Sequence, residues 1–177
     1  MSDAMQTQTD AAPAINGLGA PAPSAAGAPA AGGRLKQYVT FLVGDRAYGV
    51  DIVLVREIKQ WTPTTALPNQ PHYMRGVLNL RGTIVPVHDL RARFGGALTE
   101  ATETHVVVIV WIGEQTVGVL VDAVSDIISV AFDDIRPVPP SEADLDQSAI
   151  NGLVNAESGM VALLDLKSLF GAVRGVA

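Results

Sequence analysis

The sequence predicts an all-β protein made of two small, similar β-barrels. Apolar runs of strand length alternate with turn residues through most of the chain. The same order of motifs then occurs a second time, and each copy contains about five short strands and one helical turn. Because five short strands leave exposed edges unless their sheet closes, we expect each copy to form a barrel.

The strands of the first copy are marked by β-branched and aromatic residues. "QYVTFLVG" begins at Gln37 and predicts a strand, and a turn at Asp45 leads into a second strand in "AYGVDI". Three prolines then interrupt the chain before a hairpin in 76–87, whose tip is Arg81-Gly82. "DLRARFG" predicts a short helical turn that a glycine ends.

The repeat is visible when two pairs of segments are aligned. "FLVGDRAYGVDIVLVREI" matches "VWIGEQTVGVLVDAVSDI", and "GVLNLRGTIVPVHDLRARFG" matches "GLVNAESGMVALLDLKSLFG". Gly44 is then equivalent to Gly113 in a turn, and Gly49 to Gly118 at a bend within a strand. Such a duplication predicts two barrels packed against each other.

The domain organisation follows from the repeat and from a change of composition. Residues 1–33 are rich in Ala, Pro and Gly and lack aromatic residues, which predicts a disordered tail. Residues 34–177 are predicted to form the folded domain. Its two subdomains are expected near 37–95 and 105–171.

Composition excludes several classes of function. The net charge is −6 and no basic stripe is present, so nucleic acid is not an expected partner. There is no cysteine, which removes disulfides, thiolate catalysis and Cys-based metal sites. No apolar run approaches the roughly 20 residues of a membrane-spanning helix, and no signal peptide is recognisable. We therefore expect a cytoplasmic protein that does not insert into a membrane.

Residues of an active site or a cofactor site are not recognisable. His72, His88 and His105 are scattered without ligand spacing, and His88 is interpreted as a partly buried, hydrogen-bonded imidazole. A calcium-like "DLDQS" at Asp144 lacks the glycine and the final acid of such a loop. No phosphate-binding glycine loop and no nucleophile motif follows a strand. The sequence therefore predicts no catalytic residue, no metal and no cofactor.

A charged pair in apolar surroundings is the first candidate site. Glu57 lies in "VLVREIK" and Arg81 in "NLRG", and neighbouring strands of a small barrel would let them meet. Either they form an exposed ion pair worth at most about 1 kcal/mol, or they belong to a functional site. Arg81 is equivalent to Glu157 in the second copy, so the fold does not require the cation.

An excess of apolar residues is the second candidate. Ile52, Val53, Leu54, Val55 and Ile58 outnumber what one side of a short strand can bury. Small barrels have little interior, so some of these side chains are expected at the surface, where an apolar patch marks a partner site. Packing in the core is the alternative for each of them.

These motifs resemble those of the CheW family of bacterial chemotaxis coupling proteins. The resemblance spans about residues 37–171, and "GVLNLRGTIVPVHDL" is its most specific element. It implies two SH3-like five-stranded barrels and a non-enzymatic adaptor. The adaptor would join the cytoplasmic signalling tips of chemoreceptors to the regulatory domain of the histidine kinase CheA, in arrays beneath the inner membrane.

The resemblance also implies which residues contact partners. The paired acid and arginine of the family correspond to Glu57 and Arg81, and Val55 lies in the stretch that contacts the kinase. Gly76 and Asn79 belong to the segment linked to receptor coupling. With the apolar Ile52, the expected partner-binding residues are Ile52, Val55, Glu57, Gly76, Asn79 and Arg81.

Two other interpretations are weighed against the adaptor. A separated regulatory domain of the kinase would have the same fold, but the low-complexity tail disfavours it. A catalytic or small-molecule-binding barrel would need titratable residues that converge in a pocket. The sequence offers no such group.

Overall fold

The computed structural model of the protein describes residues 33–140 and 149–171. Apart from Gly33, the predicted disordered tail lies outside the described residues. So does the calcium-like stretch at Asp144. The all-β prediction is confirmed, because ten strands and two short helices account for most of the described chain. Within the described ranges, no helix is long and apolar enough to cross a membrane.

Each repeat contributes five strands and one helix, as the sequence predicts. The first repeat contains β1 Leu35–Val43, β2 Arg46–Asp51, β3 Val55–Gln60, β4 Met74–Leu80, β5 Thr83–Asp89 and α1 Leu90–Arg93. The second contains β6 Val106–Ile112, β7 Gln115–Val121, β8 Ala123–Ala131, β9 Ile150–Ala156, β10 Gly159–Leu164 and α2 Leu166–Phe170. A 3-10 turn at Ile52–Leu54 connects β2 to β3.

The strands of the two repeats are exchanged between two five-stranded sheets. Sheet I has the order β8-β1-β2-β10-β9, and sheet II has the order β3-β6-β7-β5-β4. The hairpin β1-β2 of the first repeat thus joins β8, β9 and β10 of the second repeat, and β2 pairs with β10 in parallel. In the same way, β6-β7 of the second repeat joins β3, β4 and β5, and β7 pairs with β5 in parallel. The sequence predicted that the strands of 37–95 form one subdomain and those of 105–171 the other. This assignment of strands is wrong, because each sheet contains strands of both repeats.

The short links after β2 and β7 explain the exchange. Three residues in a 3-10 turn separate β2 from β3, and Asp122 alone separates β7 from β8. Neither link contains Gly or Pro, and neither is a hairpin turn that would return the chain beside the strand it has just left. The chain therefore continues into the other sheet. The pattern of apolar residues fits pairing within a repeat and pairing between repeats equally well, so the pattern does not predict which of the two forms.

Three apolar clusters hold the sheets together. One cluster lies within sheet II and includes Val85 and Ile109, and a second lies within sheet I and includes Tyr38 and Val161. The third is shared by both sheets and both helices and includes Phe41. This shared cluster confirms that two similar units pack against each other. Strands β1 and β6 contribute to clusters on both of their faces, which explains the continuous apolar sequence of β6 and the largely apolar second half of β1.

The two helical turns are capped in the same way and close the shared cluster. Asp89 accepts a hydrogen bond from the backbone N–H of Ala92, and Asp165 accepts one from that of Lys167. Phe170 of α2 stacks on the imidazole of His88 in β5, with ring centroids 5.0 Å apart. His88 is buried more completely than expected, and its Nδ1 has no hydrogen-bond partner among the described residues, so the predicted hydrogen bond is not found at this atom.

Candidate functional site

Glu57 and Arg81 form an ion pair, which confirms the pairing that the sequence suggested. Nη2 of Arg81 lies 3.1 Å from Oε2 of Glu57. Glu57 is on β3, and Arg81 directly follows β4. The sequence suggested that the two strands are neighbours, but β3 and β4 are the two edge strands of sheet II. The contact shows that the sheet curls until its edges approach. With the side chain of Arg81 78% exposed, the pair stabilises the fold by at most about 1 kcal/mol.

The turn that carries Arg81 is conformationally unfavourable for an arginine. Arg81 has φ 52° and Gly82 has φ 88°, which is the pattern of a type I′ hairpin turn. A residue with a Cβ pays about 1 kcal/mol for such a left-handed conformation. Asn79 supports the turn, because its Oδ1 accepts the backbone N–H of Gly82 at 2.7 Å. A guanidinium is therefore presented to solvent at some cost to stability.

Gly76 lies on the same strand but serves a different contact. Its φ is +124°, and a Cβ placed there would clash with the backbone carbonyl of Thr65. Thr65 forms two backbone hydrogen bonds with Val77, at 2.8 and 2.9 Å, which cover the edge of β4. The absence of a side chain at Gly76 is what permits this approach. The structure thus brings Asn79 and Arg81 together at the turn and places Gly76 at the covered edge.

Ile52 begins the 3-10 turn that passes between the sheets, and Val55 directly follows it. Both are partly buried and pack against the shared cluster, as does Leu54. The exposed apolar side chain at this turn is Val53, with 84% of its surface accessible. The number of apolar residues in this stretch predicted that some of them are exposed. It did not predict which ones. Ile58 is also exposed, at 46%.

Two residues beside the ion pair were not recognised in the sequence. Arg56 is the extra residue of a β-bulge, because Val55 and Glu57 pair with the consecutive residues Val110 and Ile109 of β6. Its guanidinium lies 4.0 Å from the ring centroid of Trp111, which is half-exposed. A single sequence does not show that a bulge re-aims Arg56. An aromatic residue near the end of a strand, such as Trp111, looks the same in a sequence whether it serves packing or a functional site.

Comparison with known proteins gives a consistent result. Residues 37–174 match the family model described as the CheW-like domain. The chain is 42% identical to the chemotaxis protein CheW of Rhizobium meliloti, over 78% of this chain and 88% of the relative. It is 35% identical to the chemotaxis protein CheW of Klebsiella aerogenes, over 77% of this chain and 82% of the relative.

A solved structure shows the same architecture. The crystal structure of the scaffolding protein TtCheW from Thermoanaerobacter tengcongensis superimposes with a TM-score of 0.70 at 33% sequence identity. The match covers 77% of this chain and 88% of the other. Together with the family match over most of the chain, it establishes that this protein belongs to the CheW family.

Proposed function

We propose that this protein is a non-enzymatic adaptor that couples chemoreceptors to the histidine kinase CheA in the cytoplasm, at receptor arrays. The observation that carries the proposal is a guanidinium held on an unfavourable turn, where the two edge strands of sheet II approach each other, with the exposed apolar Ile84 in the same hairpin. A fixed charge next to apolar surface is typical of a protein interface. The relatives named chemotaxis protein CheW and the scaffolding protein TtCheW support the same assignment.

Two surfaces are proposed for the two partners. The 3-10 turn and the start of β3, with Ile52, Val55 and Glu57, would contact the regulatory domain of CheA. The hairpin at the end of β4 would contact the cytoplasmic tip of a receptor. In this proposal Asn79 shapes the turn that presents Arg81, and Gly76 admits the segment of Thr65 that covers the edge of β4. The effect of both residues on binding is indirect.

The bridging role is tested by calorimetry with the full-length chain. We expect one molecule of the CheA regulatory domain to bind, and the resulting complex to bind a receptor signalling-tip fragment. Both binding events should be saturable, because an adaptor must hold its two partners at once. A folded sample that binds neither partner would show that the adaptor proposal is wrong.

Replacing Arg81 with alanine should weaken binding to at least one partner by about 10-fold, because a charge-assisted contact is lost. The free energy of unfolding should change by less than about 1 kcal/mol, because the ion pair is exposed and alanine keeps the same turn. Glu157→Ala, at the equivalent hairpin of sheet I, is the matched control. Unchanged affinity for both partners in folded Arg81→Ala would contradict the proposed site.

A further inference from the structure

We propose that the open end of sheet II contains a subsite for an acidic side chain of a docked protein partner, formed by Arg56, Arg81 and Trp111. The inference rests on the proposed function, because it requires a protein partner at this end. It adds the chemistry of the group that is recognised, a carboxylate of Glu or Asp. It also assigns roles to Arg56 and Trp111, which are not among the partner-binding residues expected from the sequence.

The subsite is a cleft of about 350 Å³ between the strands of sheet II. Its floor includes Val85 and Ile109, both fully buried. Its rim is polar and includes the hydroxyl groups of Thr83 and Thr116. Trp111 borders the cleft, because it pairs directly with Thr116 across β6 and β7 and so lies on the same face.

The charges at the rim are unequal. Two guanidinium groups, of Arg56 and Arg81, and one carboxylate, of Glu57, line the cleft. Glu57 is engaged by Arg81. Arg56 makes no ion pair with any described residue. The rim therefore carries one uncompensated positive charge, on a chain whose net charge is −6.

Stacking on Trp111 prepares Arg56 to bind an anion. A guanidinium over an aromatic ring uses its flat face, which leaves the N–H groups around its edge free to donate. Those donors match the two oxygens of a carboxylate, which guanidinium binds with two parallel hydrogen bonds. Because the side chain is already ordered against the ring, less conformational entropy is lost on binding.

The other barrel shows that these residues are not needed for the fold. Sheet I has the same bulge, where Thr40 and Phe41 of β1 pair with Asp126 and Val124 and leave Ser125 as the extra residue. Ser125 is the counterpart of Arg56 in the repeat. The counterparts of the other rim residues are Leu42 for Trp111, Asp126 for Glu57 and Glu157 for Arg81. The equivalent part of sheet I thus forms with no cation at these four described positions, so the cationic rim is specific to sheet II and points to recognition.

Calorimetry with the full-length chain, the CheA regulatory domain and a receptor signalling-tip fragment tests this subsite. We expect Arg56→Gln to lower the affinity for one of the two partners by about 10-fold. Arg56→Lys should restore part of that loss, because it keeps the charge but not the two parallel donors. Trp111→Leu introduces the residue found in sheet I and should weaken the same partner by a smaller factor.

Salt dependence and a matched control separate recognition from a structural effect. The affinity of Arg56→Gln for that partner should fall less steeply with salt than the affinity of the wild type. Arg46→Gln removes another exposed cation, from β2 of sheet I, and this variant should bind both partners as the wild type does. Thermal melting of each variant should show an unchanged fold.

The outcomes distinguish the subsite from the proposed function. If the wild type binds its partners and folded Arg56→Gln and Trp111→Leu bind them equally well, the subsite is wrong and the adaptor function stands. If the wild type binds neither partner, the adaptor function is wrong and the subsite falls with it.

Discussion

Gly76→Ala is expected to lower the free energy of unfolding by about 3 kcal/mol. A Cβ at this position would clash with the carbonyl oxygen of Thr65, and φ is +124°, a conformation that alanine rarely adopts. Relief of the clash requires Thr65 to move, which breaks its two hydrogen bonds to Val77. The loss is measured by urea denaturation, as a lower midpoint with an unchanged slope.

Gly82→Ala is the matched control for this effect. Gly82 also has a positive φ, of 88°, but no atom of the described residues lies within 4 Å of the Cβ that alanine would add. Only conformational strain is then introduced, so the expected loss is about 1 kcal/mol. Equal losses in the two variants would show that the approach of Thr65 does not explain why position 76 is a glycine.

The stability of the protein is expected to fall by about 3 kcal/mol as the pH decreases from 6.5 to 4, because of His88 alone. Burial, and secondarily the charge of Arg93, lowers the pKa of His88 from 6.5 to about 4 in the folded protein. The unfolded chain therefore binds a proton at a higher pH than the folded chain does. The contribution of neutral His88 is complete above pH 6.5 and is lost as the pH falls through this window.

His88→Phe isolates this contribution from the titration of carboxylates. Phenylalanine can occupy the place of the imidazole between Phe170 and Tyr73 without a group that gains a proton. The difference in unfolding free energy between variant and wild type should grow as the pH falls from 7 to 4. His72→Phe, at an exposed histidine, should show no such growth. Parallel stability curves for His88→Phe and the wild type would disprove the assignment to His88.

The elements of the fold were largely predictable because they depend on neighbours in the sequence. Alternating β-branched residues predicted β1, and Arg81-Gly82 predicted the hairpin turn between β4 and β5. Asp89 and Asp165 cap their helices through backbone groups two or three residues away. The repeat itself was readable because both copies keep the same turn glycines and apolar spacing.

The candidate site was predictable only in part. The pairing of Glu57 with Arg81 was suggested by two opposite charges in apolar strands, and the ion pair confirms it. The role of Gly76 depends on Thr65, which an irregular connection brings against β4. Arg56 and Trp111 approach each other because a bulge re-aims one side chain across two paired strands. No local pattern encodes such contacts, since they arise from strand pairing.

By itself, the sequence determined the class of the fold, its duplication, its turns and caps, and the opposite charges of Glu57 and Arg81. Tertiary structure alone decided which strands share a sheet, which apolar residue near the 3-10 turn is exposed, and where the cationic cleft lies. The reason is that short strands with a similar apolar pattern can pair within a repeat or between repeats through the same kind of backbone hydrogen bonds. The short links after β2 and β7 select the exchanged arrangement, and that choice places every residue of the site.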